Sequence, residues 1–90
     1  MKIEFIGPAE TAEDDGVFYN ALVDGKTIRC HFSFEALQDV DPDNLHGKPL
    51  KQFEAHRLIL LSAAESKITR GLVSGDTVNI YTNDVAINKP

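Results

Sequence analysis

The sequence predicts an α+β domain: an antiparallel sheet of about four strands, in the order β-β-β-α-α-β, with one short and one long helix packed on one face. Three observations carry this expectation. Residues 17–32, VFYNALVDGKTIRCHF, read as a β-hairpin; residues 49–70 hold an apolar stripe at helical spacing; and residues 77–82, TVNIYT, alternate as a strand. Ninety residues support one core and not two, so residues 1–90 are expected to form a single domain.

Each element has a local reason. Lys2–Phe5 alternates polar and apolar residues as a short half-buried strand, which Gly7-Pro8 breaks. Ala9–Gly16 is acidic, lacks apolar anchors and reads as an exposed loop. Val17–Val23 is rich in aromatic and β-branched residues, and Asp24-Gly25 suits a type I′ turn, whose two central residues need positive φ. Lys26–Phe32 returns with Ile28, Cys30 and Phe32 on one face and Thr27, Arg29 and His31 on the other. Ser33 is placed to cap a short helix, Phe34–Val40, with Glu35 in its first turn. Asp41-Pro42-Asp43-Asn44 ends that helix, and Gly47 and Pro49 bracket the next start. The long helix runs from about Pro49 to Arg70, with Pro49 in the first turn and Gly71 as its C′ stop. Ser74-Gly75-Asp76 then leads into a last strand, Thr77–Thr82, with Val78, Ile80 and Thr82 on one face. Alternation fixes faces and not neighbours, so this strand is left beside the first or the second.

The stretch FYNALVDGKTIRCHFSFEAL, the later FEAHRLILLSAAESKITRG and the short closing strand together resemble the small bacterial domain-of-unknown-function family 1488. The resemblance extends from KIEFIGP to the TND after the last strand, and QDVDPDNLHG fits it least well. It implies a compact bacterial α+β domain. It brings no biochemical activity to any residue.

Composition narrows the function classes. The chain is 42% hydrophobic and 26% charged, as expected of a globular protein, and its one cysteine excludes an intrachain disulfide. The N-terminus does not read as a signal peptide and no apolar run reaches membrane-span length, so a cytoplasmic protein is the default expectation. The net charge of −5 is uneven: residues 1–44 hold three cations and ten acids, whereas residues 48–70 hold five cations and two acids. A basic helix on an acidic body reads as self-complementary before it reads as a nucleic-acid binder.

The candidate residues lie on the long helix. Arg57 projects into the apolar stripe of Leu50, Phe53, Leu60, Leu61, Ala64 and Ile68, where a guanidinium that stays charged needs a partner. The structural reading, a head group paired with an acid such as Glu4 or with a strand carbonyl, outweighs the functional one. In the functional reading, Arg57, His56 and Lys67 form a basic pocket for a phosphate or carboxylate. Leu58 and Ile59 fall outside the stripe, among Ala55, Ser62, Ala63 and Ser66, and offer an apolar contact surface. Asp39-x-Asp41-x-Asp43 echoes a calcium loop but fails it, with Asn44 and Leu50 where Gly and a bidentate Glu are needed. Cys30 reads as core, and no nucleophile elbow, phosphate loop or metal-ligand spacing is present. No catalytic residue, metal or cofactor is therefore expected. The leading expectation is a non-catalytic protein-binding or regulatory module, with an unknown protein or a second copy as partner and no membrane role. The alternatives are a weak nucleic-acid-associated protein using Lys48, Lys51, Lys67 and Arg70, and a small-molecule anion binder at Arg57.

Overall fold

The computed structural model describes residues 1–41 and 48–87. The chain runs β1 (Ile3–Thr11), β2 (Val17–Val23), β3 (Lys26–Phe32), α1 (Phe34–Val40), α2 (Pro49–Ala55), α3 (Arg57–Thr69), β4 (Thr77–Ile80) and α4 (Thr82–Ile87). The expected end of the first helix at Pro42, Asp43 and Asn44, and the bracketing Gly47, lie outside the described residues.

The fold is α+β with a four-stranded, mostly antiparallel sheet in the order β1-β2-β3-β4. The β2–β3 hairpin forms as the sequence indicates, with Asp24 at φ 49° and Gly25 at φ 88°, as a type I′ turn requires. Its register pairs Phe18 with His31 and Asn20 with Arg29, which puts Val17, Tyr19, Ala21, Ile28, Cys30 and Phe32 together on the buried face. β4 lies beside β3 and runs parallel to it, pairing Val78 with Cys30 and Ile80 with Phe32. The sheet is therefore mixed, and the last strand's neighbour is neither the first nor the second. The intervening helices make this possible, since a parallel return needs a long crossover.

β1 is longer than expected. Ile6 pairs with Asn20 and Glu10 with Phe18, so four steps along β1 match two along β2. The extra residues form a bulge around the cis Gly7-Pro8 peptide, after which Glu10 and Thr11 rejoin the ladder. The bulge erases the alternation, which is why the segment reads as a loop in sequence. Only Ala12–Gly16 make the turn, closed by the Ala12 N–H to the Gly16 carbonyl at 2.9 Å.

The helices cover one face of the sheet. Ser33 caps α1, its Oγ accepting from the Ala36 N–H at 3.1 Å, and the Ser33 N–H donates to the Ile80 carbonyl at 3.0 Å. One hydroxyl-bearing residue thus starts α1 and ties it to the end of β4. The expected long helix is two helices. At His56 the backbone leaves helical values (φ −123°, ψ 29°), and its N–H is shared between the Gln52 and Phe53 carbonyls. α3 ends at Gly71 (φ 76°), where Gly71 N–H bonds Ile68 and Leu72 N–H bonds Lys67, a Schellman closure. Thr82 belongs to α4 and not to the last strand. Asp84 draws the chain into that helix by accepting the Tyr81 N–H at 2.8 Å.

The core lies between the sheet and α1–α3, centred on Phe32 and Phe53, both fully buried. Phe53 sits between Tyr19 and Phe32, with ring centroids 5.3 and 5.2 Å away. Gly16 is fixed by space: a Cβ there would stand 2.4 Å from the Phe32 carbonyl oxygen. Gly16→Ala is expected to lower stability by about 1–3 kcal/mol, read as a reduced urea midpoint with unchanged slope.

Candidate functional site

Arg57 opens α3, directly after the break at His56. Its Nη2 donates to the hydroxyl of Tyr19, a buried residue of β2, and its Nη1 lies 3.7 Å from Glu54, one turn earlier. Tyr19 Oη fits against the β1 bulge because Gly7 has no side chain; a Cβ on Gly7 would lie 3.1 Å from that oxygen. The partners of Arg57 are thus a phenol and a carboxylate of α2, and not Glu4 or a strand carbonyl. With its side chain 43% exposed, Arg57 anchors the helix to the sheet while keeping part of its head group in water.

The basic trio does not assemble. His56 Nε2 lies 3.4 Å from Asp41 Oδ1 and ties the break to the end of α1. Lys67 turns to the other end of the domain, where it donates to the Asn79 carbonyl at 2.6 Å and to Asp84 Oδ2 at 3.0 Å. Its side chain is only 13% exposed. A helical wheel discards axial distance: ten residues of rise put about 15 Å between Arg57 and Lys67. Lys67 is also withdrawn from the lysine and arginine set of the nucleic-acid alternative, leaving Lys48, Lys51 and Arg70 exposed.

Leu58 is 82% exposed, more than any other large apolar side chain among the described residues, Met1 included. Ile59 instead packs partly against the core, as does Leu61. The buried arc of α3 runs through Leu60, Ala63, Ala64 and Ile68, and Ile59 flanks it while Leu58 points away. Exposed positions in α2 are 51, 54 and 55; in α3 they recur at 58, 62, 65 and 69, spacings of three and four that form one ridge along α3. Beside it, Glu54–Ile59 line an open groove of about 470 Å³.

A second constellation, missed in the sequence, occupies the uncovered face of the sheet. Asp14 accepts from the Gly16 N–H at 3.0 Å, and its carboxylate oxygens lie 3.0 and 3.2 Å from His31 Nε2. The His31 ring packs on Phe18, and the Arg29 guanidinium stands 4.3 Å from the Phe18 ring centroid. The signal was the alternation itself, which places Phe18 opposite His31 in the hairpin. The loop that brings Asp14 was not legible. The Gly16 hydrogen bond, and then His31, hold the Asp14 carboxyl below its ordinary value of 3.8.

Cys30 is fully buried and burial pushes its thiol up to about 12, so it is no nucleophile at neutral pH. Asp39 and Asp41 sit at the end of α1, Asp43 lies outside the described residues, and no metal-holding group of acids, histidines or cysteine occurs among the described residues. No helix among the described residues is long and apolar enough to cross a membrane.

The architecture and ridge define a small one-sided α+β domain. Residues 3–77 match the model of the protein family of unknown function DUF1488, and the chain belongs to that family. No curated protein and no solved structure matches it.

Two outcomes test this geometry. In a double-mutant cycle of Arg57→Met and Tyr19→Phe, the coupling is expected to be about 1 kcal/mol, read from urea midpoints. Asp14 has a depressed folded pKa, so its contribution is present above 3.8 and lost as the pH falls further. The stability gap between the native chain and Asp14→Asn is therefore expected to close on acidification below that value.

Proposed function

We propose that this chain is a non-catalytic protein-binding or regulatory module that contacts its partner through the ridge of α3 and the groove beside it. Leu58 supplies the apolar anchor, the half-buried Ile59 supports it, and Arg57 and His56 border it with polar groups. The observation that carries the reading is the exposure of Leu58, 82%, beside an open groove on a helix whose opposite side is core. A leucine so placed gains nothing from the fold and gains most from being covered by another surface. The exposed positions of α2 and α3 include Lys51, Glu54 and Glu65, which suits a mixed protein surface better than a phosphate backbone.

The test is a tagged pull-down from native cytoplasm at low and high salt, with protein and nucleic acid both read in the eluate. A stoichiometric protein that survives high salt and is lost with Leu58→Asp is the expected result. An eluate unchanged by Leu58→Asp, or one holding only nucleic acid that salt removes, overturns the reading.

A further inference from the structure

β4 is the last strand of the sheet, with β3 on one side and no strand among the described residues on the other. In its parallel ladder, the Arg29 N–H donates to the Asp76 carbonyl at 2.7 Å and the Ser33 N–H to the Ile80 carbonyl at 3.0 Å. That phase turns the backbone groups of Val78 and Ile80 toward β3 and those of Thr77, Asn79 and Tyr81 away from it. An outward row of this kind is a template for a further strand.

Here the chain itself occupies the row. Ser74 takes both groups of Thr77, its N–H donating to the Thr77 carbonyl at 2.8 Å and its carbonyl accepting the Thr77 N–H at 3.1 Å. From the last turn of α3, Lys67 Nζ donates to the Asn79 carbonyl at 2.6 Å. Asp84 Oδ2 accepts the Tyr81 N–H at 2.8 Å, and the Tyr81 carbonyl accepts the Asp84 N–H at 3.0 Å. Lys67 and Asp84 then meet at 3.0 Å, with side chains 13% and 17% exposed, so salt screens the pair weakly. A pair that only fastened α3 to α4 would have no need of strand amides and carbonyls. Each of these two side chains instead fills a place that a neighbouring strand would fill.

We propose that the Lys67–Asp84 pair is an edge guard, which keeps β4 from extending the sheet into a second copy of the chain. With the pair removed, the occupant of the edge is β4 of another copy, antiparallel to the first. Pairing starts with Asn79 against Asn79, where both backbone groups face outward, and spreads to Thr77 and Tyr81 as the Ser74 turn and α4 give way. This register keeps Val78 and Ile80 of both copies on the helix-covered side, and it is self-complementary about a twofold axis. The proposal is independent of the ridge at Leu58.

Light scattering of the full chain during size-exclusion chromatography, from about 10 µM to about 1 mM, tests it. Lys67→Met and Asp84→Ala are each expected to self-associate at least about tenfold more tightly than the native chain. Asn79→Pro, added to either variant, is expected to return the mass to the native value. Proline there removes an N–H that faces away from β3, so the ladder within the domain is kept. Leu58→Asp in the same backgrounds leaves the association unchanged, which separates it from any contact through the ridge. Circular dichroism of each variant reads whether the monomer remains folded. Folded variants that keep the native mass at every concentration overturn the proposal, as does association that Asn79→Pro leaves intact. If Lys67→Met unfolds, Asp84→Ala carries the test. Loss of the fold in both assigns the pair to stability alone, and the edge guard is then wrong.

Discussion

A permanent positive charge at the seam between helix and sheet organises this domain. Arg57 has no neutral form to adopt, and α3 begins where its head group can reach the Tyr19 hydroxyl. That contact requires Tyr19 to lie on the covered face of β2 and Gly7 to leave space above its phenol. It also accompanies the interruption at His56. With α2 ending one residue earlier, Phe53 fills the space between Tyr19 and Phe32 while Arg57 stays near the edge of the core. Bulge, break and aromatic cluster are thus parts of one arrangement around a guanidinium.

What could be read from the sequence was whatever nearest neighbours decide. The Asp24-Gly25 turn, the Ser33 cap and the Gly71 stop each depend on a few adjacent residues, and each stands where the residues place it. The rest depends on distant partners. The continuation of β1 past Pro8 follows from pairing with Phe18 and Val17, and the break at His56 has no local sign, since good helix formers flank it. The parallel placement of β4 is a property of the whole crossover. The candidate site divides in the same way. That Arg57 needs a partner was legible, because charge and periodicity are local. That the partner is Tyr19, that Lys67 is held by Asp84, and that Leu58 and not Ile59 faces outward are results of tertiary packing.

The surfaces of the domain are unequal in what they offer. The free side of β1 carries the bulge, a proline and Glu4 and Glu10, features that discourage another strand from pairing there. The uncovered sheet face holds charged and aromatic groups already engaged with each other, Asp14 with His31 and Arg29 with Phe18. The ridge of α3 differs from both: its apolar Leu58 is bare, and its charge at Glu65 is uncommitted among the described residues.

The parallel seating of β4 has a consequence for synthesis. While the ribosome has released only the chain through α3, strand β3 has a finished hairpin on one side and an open row of amides and carbonyls on the other. Those groups belong to the strand that carries Cys30 and Phe32, buried in the finished domain. Until Thr77–Ile80 emerge, that strand is available to any other extended segment nearby. The last four-residue strand therefore acts as a closing seal, and the nascent chain is most vulnerable to mispairing in the interval before it arrives.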